Sequence, residues 1–111
     1  MRYLFLLWGD EAAELALDAV ERRAIVEAHG RFLRSARETD PTATGEPLGA
    51  AREGLVVVPG GSATDGPFLE TKEQLGGFYL IDCADRETAV RLAREIPASP
   101  GLRIEIRPIP D

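Results

Sequence analysis

The amino-acid sequence predicts a single α+β domain, and three observations carry that prediction. Two short, unbroken apolar runs, Tyr3–Trp8 and Gly77–Cys83, read as strands buried on both faces. Two longer segments, following Asp18 and Asp85, repeat apolar residues at helical spacing behind a capping residue. The length of 111 residues, with 44% hydrophobic and 29% charged content, suits one core and leaves no room for a second domain.

Taken in order, the run from Tyr3 is closed by Gly9-Asp10. Asp18 and Glu21 then have the spacing of an acidic capping box, and Ile25, Ala28, Phe32 and Ala36 line one face of the helix that follows. Its other face carries Arg23, Glu27, Arg31, Arg34 and Glu38, whose four-residue spacing predicts solvated ion pairs worth about 0.2–0.5 kcal/mol each. Thr42–Pro47 has modest strand character, and its proline restricts it to a sheet edge. Leu55–Val58 and Ser62–Asp65 read as the arms of a hairpin turning through Pro59-Gly60-Gly61. The run Gly77–Cys83 follows, and with Tyr3–Trp8 it holds five of the seven aromatic residues, so the two are placed side by side at the sheet centre. Asp85 caps a second helix that turns Ala89, Leu92, Ala93 and Ile96 inward and stops at Pro97. Leu102, Ile104 and Ile106 alternate with Arg103, Glu105 and Arg107, the pattern of an edge strand with one wet face, closed by Pro108 and Pro110.

The order is βαββαβ with an inserted hairpin, a ferredoxin-like arrangement. Both helices of that arrangement cover one face of the sheet, yet Leu4, Leu6 and Trp8 are as apolar as Tyr3, Phe5 and Leu7. The second face therefore needs a cover, and a second copy of the chain is the expected one.

Composition removes several function classes from the expectation. A formal net charge of -6 disfavours direct nucleic-acid binding and anionic membrane surfaces, both of which rest on cationic residues. One histidine and one cysteine supply neither a zinc constellation nor an intrachain disulfide, and Cys83 alone fits a reducing, cytoplasmic setting. Tyr3–Trp8 is too short to span a bilayer and lacks the flanks of a signal peptide, so Met1 is expected to be the mature start. No phosphate loop or dinucleotide fingerprint occurs, and no flavin, haem or stoichiometric transition metal is expected.

At Asp65-Gly66-Pro67-Phe68, followed by Glu70-Thr71-Lys72-Glu73-Gln74-Leu75-Gly76-Gly77, the sequence resembles the signature of the DGPF proteins of the YCII-related family. The resemblance extends to the opening strand ending Trp8-Gly9-Asp10, the Ala28-His29 helix and the closing Ile104–Pro108. It implies a dimeric α+β barrel, two ferredoxin-like protomers with their sheets face to face. It also implies a bacterial protein, with some members encoded beside or fused to extracytoplasmic-function sigma factors and wider relatives acting on small ring compounds. The family's His and Asp pair falls on His29 and Asp65.

The candidate residues each have a plain reading beside the functional one. His29 follows Ile25 by four and precedes Phe32 by three, which turns it toward the sheet: it is either a core histidine bonded to a carbonyl or a proton-exchanging group. Asp65-Gly66-Pro67 makes good turn chemistry by itself. Phe68 is a pocket wall or core, and Lys72, the only lysine, binds an anion or pairs with Glu70 or Glu73. Gly76-Gly77 suggests a bulge or close backbone approach, and Gly30 room beside His29. The leading expectation is a homodimer with a pocket between the His29 helix and the sheet, where His29 as base and Asp65 as orienter serve a cofactor-independent lyase or isomerase. The alternatives are a non-catalytic ligand-binding or interaction module linked to sigma-factor regulation, and a purely structural dimer.

Overall fold

In the computed structural model, which describes residues 1–111, the chain begins with strand β1 (Arg2–Asp10), helices α1 (Glu11–Leu15) and α2 (Ala19–Thr39) and strand β2 (Thr44–Pro47). A 3-10 turn at Ala51–Glu53 leads to the hairpin strands β3 (Leu55–Val57) and β4 (Ala63–Asp65). Strand β5 (Glu73–Asp82), helix α3 (Arg86–Glu95) and strand β6 (Arg103–Pro108) complete it. The main sheet is antiparallel with order β2-β5-β1-β6, so the two apolar runs are central and the proline-bearing strands lie at the edges.

Register fixes which side chains meet. Tyr3 stands opposite Ile81 and Phe5 opposite Tyr79, and this face packs on Phe32 and Ala36 of α2 and Ala89 and Leu92 of α3. The other face presents Leu4 opposite Leu80 and Leu6 opposite Phe78, all half-buried. The β1–β5 register shifts between Leu7 and Trp8, leaving Gly76 as the extra residue of a bulge.

The helix ends obey the capping chemistry expected of them. The Asp18 side chain accepts from the Glu21 amide at 2.8 Å while Glu21 accepts from the Asp18 amide at 3.2 Å, and Asp85 accepts from the Thr88 amide at 2.8 Å. The ion pairs expected along α2 do not close to 4 Å: Arg23, Glu27, Arg31, Arg34 and Glu38 are all exposed, where water competes for each charge.

Three features differ from expectation. α1 is an additional helix, begun by Asp10, whose carboxylate accepts from the Ala13 amide at 3.1 Å. β5 begins at Glu73 rather than Gly77, because β1 runs on to Asp10 and pairs there. Gly66 is required for space and not for a positive φ: a Cβ there would lie 2.9 Å from the Ala51 carbonyl oxygen, and the Gly66-Pro67 peptide is cis.

Asp40 is the one buried carboxylate, and it ties α2 to the end of β5. One oxygen accepts from the Thr42 amide and hydroxyl at 2.9 and 2.7 Å, the other from the Asp82 amide at 2.8 Å. Burial pushes its pKa up, but these donors outweigh burial and hold it below the ordinary value of 3.8. Asp40→Ala leaves the Asp82 amide without its acceptor and is expected to cost about 1–3 kcal/mol in urea unfolding. An unchanged midpoint would mean that water replaces the carboxylate there.

Candidate functional site

A cavity of about 360 Å³ opens between α1, the first half of α2 and the end of the sheet that carries the bulge. Leu7, Leu15, Leu17, Ile25, Val26, Leu48 and Leu102 give it apolar walls; Glu11, Glu14, Arg22, His29 and Ser99 supply its polar groups. Its size falls near the lower end of ligand pockets, and its mix of apolar wall and a few polar groups is typical of them.

Two of those charged groups are already committed to holding the walls. The Arg22 guanidinium donates to the Leu15 carbonyl at the end of α1, and the Glu11 carboxylate accepts from the Ala51 amide at 3.0 Å, tying down the loop that follows β2. Glu14 and His29 remain as the titratable groups free to act on a ligand.

Glu14 is placed by two glycines. Its carboxyl folds back over β1 and β5, so a Cβ at Gly9 would lie 2.5 Å from Oε1 and one at Gly76 would lie 3.9 Å from Oε2. The Ser99 hydroxyl donates to Oε1 at 3.3 Å. Burial raises the Glu14 pKa above 4.5; Ser99 works against this, while the charges of Glu11 and Asp10 add to it. The result is a carboxylate more basic than an ordinary one.

His29 sits half-buried on the sheet-facing side of α2, as its spacing predicts, and its partner is a tyrosine. Nδ1 lies 2.6 Å from the Tyr79 hydroxyl, with the two rings stacked at 5.9 Å. Burial lowers the histidine pKa below 6.5 and pushes the Tyr79 phenol up to about 12, so near neutral pH both groups are uncharged. Gly30 does not make room for this pair: a Cβ there would meet only the Arg34 guanidinium, at 3.5 Å.

Within one chain, the structure does not bring Asp65 to His29. Asp65 is an exposed residue of β4, paired with Leu55 in the hairpin, and it does not line the cavity. The DGPF segment instead closes a second cavity of about 560 Å³, bounded by Trp8, Leu75, Pro67 and Phe68, whose ring is 80% exposed. Lys72 is exposed, with its ammonium 3.8 Å from Glu73. Nowhere do three or more His, Cys, Asp or Glu side chains gather as metal ligands, and no helix is long and apolar enough to cross a membrane.

Glu14 and Tyr79 are the site residues that the sequence alone does not single out. Tyr79 carried a usable signal, since a tyrosine buried in a central strand needs a partner for its hydroxyl. Glu14 carried none, being one acid among nineteen acidic residues in a helix too short to show a period.

Comparison with known proteins agrees with the resemblance read at the DGPF block. Residues 1–110 match the YCII-related domain. An uncharacterized protein of Rhizobium meliloti (strain 1021) is 42% identical over 123 aligned residues, covering 98% of this chain and 92% of that protein. With the match running over nearly the whole length, the chain belongs to the YCII-related domain family.

Proposed function

We propose that the Glu14–His29 cavity binds a small, largely apolar molecule and moves a proton on it without a cofactor, as a lyase or isomerase does. The observation that carries this reading is the pairing of a carboxylate of raised pKa with a neutral histidine in one half-closed cavity. Groups whose environments drive their pKa values away from the ordinary are the mark of acid–base sites. This replaces Asp65 by Glu14 as the carboxylate that works with His29.

Deuterium uptake tests it. Cyclopentanone, cyclohexanone and γ-butyrolactone incubated with the protein in D₂O are expected to include at least one that exchanges C–H for C–D faster than in buffer. If none exchanges, but chemical shifts of cavity residues move on addition, the site is a non-catalytic binding module. Neither exchange nor shift for any probe refutes the reading for small carbonyl compounds.

The chain is further proposed to act as a homodimer built sheet to sheet. It exposes 7581 Å², whereas a monomer of 12.1 kDa is expected to expose about 6,000 Å². The excess, about 1,500 Å² per chain, is the scale of an obligate interface. The body is only 19 Å thick against 41 and 40 Å, as befits two layers lacking a third. Leu4, Leu6, Trp8, Phe78 and Leu80 form an apolar stripe across the uncovered face, bordered by Glu105 and Arg107 on β6. Leu6→Asp is expected to halve the mass seen by light scattering at micromolar concentration while the chain stays folded. A monomeric wild type would refute the dimer.

A further inference from the structure

The Tyr79 hydroxyl is the structural feature that decides how His29 can work. The Tyr79 side chain is only 6% exposed, and His29 Nδ1 is its one hydrogen-bond partner. A buried phenol O–H has to donate somewhere. If Nδ1 carried the imidazole proton, both groups would be donors and the phenol proton would be left without an acceptor. With Nδ1 as acceptor, every group is satisfied.

The ring cannot easily turn away from this bond. Phe32 meets it edge-on at 4.9 Å, and on the neighbouring strand a Cβ at Gly45 would run into it. Glycine at that position lets the ring lie flat across β2, with its hydroxyl reaching α2.

We propose that Tyr79 is a positioning residue: by donating to Nδ1 it confines the proton of neutral His29 to Nε2, which makes the histidine a hydrogen-bond donor to the oxygen of a bound carbonyl group and leaves proton removal to Glu14. This deepens the acid–base reading of the cavity and rests on it. It also reverses the role expected of His29 from sequence, since a neutral imidazole protonated at Nε2 has no free lone pair there to act as a base.

The step balances without a co-reactant. The Glu14 carboxylate takes a proton from the carbon beside the carbonyl, and the C–H electron pair becomes a C=C bond. The C=O π pair moves onto oxygen, where the Nε2–H stabilises the developing charge. Where the substrate also carries a C=C bond β,γ to the carbonyl, the enolate is a dienolate, and return of the proton from Glu14 to its γ carbon shifts the double bond into conjugation and completes an isomerisation. The ligand class is a small neutral carbonyl compound, because a ligand carboxylate would meet those of Glu11 and Glu14.

His29 is the only histidine, so its two nitrogens are read without ambiguity in long-range ¹H–¹⁵N spectra of the unliganded protein. At a pH of about 8, where imidazole is neutral, Nε2 is expected to be protonated and Nδ1 bare. Tyr79→Phe is expected to give a mixture of tautomers. It is also expected to raise the histidine pKa by about 0.4–1 unit, because the lost hydrogen bond favoured the neutral form. Should that variant fail to fold, fluorotyrosine at Tyr3 and Tyr79 strengthens the donor and should move the Nδ1 signal. A wild-type protein protonated at Nδ1, a tautomer unmoved by Tyr79→Phe, or an Nδ1 signal unmoved by fluorotyrosine overturns the assignment. Since no ligand is present, this result stands apart from the deuterium test: either can fail while the other holds.

Discussion

Ile81→Asp is expected to yield no cooperatively folded protein. Ile81 is wholly buried near the end of β5, opposite Tyr3 and on the face closed by both helices. Removing the branched side chain costs the transfer and packing energy of a large-to-small core change, about 2–5 kcal/mol. The carboxyl that replaces it enters a core built mainly of apolar side chains, and burying a polar group without a partner adds about 2–7 kcal/mol even if it takes up a proton. The sum reaches the whole stability of an ordinary domain, about 5–15 kcal/mol, and this chain has only 15 buried residues with which to reach the upper end. Circular dichroism and proton NMR should show no thermal transition and no dispersed methyl signals. A cooperative melt within a few degrees of wild type would mean that β5 can slip or rotate to put residue 81 in water. Leu6→Asp is the contrasting change, because Leu6 faces the open side and a charge there is directed at association.

That contrast also marks how far the sequence alone could go. Tyr3–Trp8 and Gly77–Cys83 are apolar at every position, which places them in the middle of the sheet and, for the same reason, hides which face meets the helices. Only the register, with Phe5 opposite Tyr79, puts Tyr79 under His29, and register between strands about seventy residues apart is set by packing rather than by local spacing. The capping residues Asp18 and Asp85 were legible because capping is a local bond within four residues. The helix face of His29 was legible because 3.6-residue periodicity is sustained over 21 residues of α2. α1 has five residues and no period, so the carboxylate it places at the cavity could not be separated from solvated acids. Asp65 is the opposite case: its motif is conspicuous, yet within one chain it lies on the exposed β4, and the adjoining Gly66 is accounted for by close packing against Ala51 and Gly54.

Glu14→Gln is expected to lower proton exchange on a responsive carbonyl probe by about 10²–10⁴-fold, the range for loss of a positioned general base. The change keeps the shape of the side chain and an oxygen for Ser99 while removing the lone acceptor of the proton. Its effect on stability should run the other way. Folding raises the Glu14 pKa, so the protonated side chain contributes stability that is fully present below pH 4.5 and is lost as pH rises through the higher folded value and the carboxyl ionises. A neutral glutamine escapes that loss, and the variant is expected to melt at or above the wild-type temperature at pH 7. A merely structural glutamate would give a lower melting temperature and unchanged exchange. The pH profile follows from the same shifts. Exchange should rise with pH through a midpoint above 4.5 as Glu14 ionises, while His29, with its pKa below 6.5, is already shedding its extra proton. No falling limb is expected until the Tyr79 phenol ionises near 12. His29→Gln keeps an N–H donor and should cost less than Glu14→Gln. Gly9→Ala removes no reacting group, yet its Cβ occupies the space 2.5 Å from Oε1, so the carboxylate must leave its seat. Exchange in Gly9→Ala should therefore fall with the fold retained. Equal exchange in wild type, Gly9→Ala and Glu14→Gln would take Glu14 out of the chemistry.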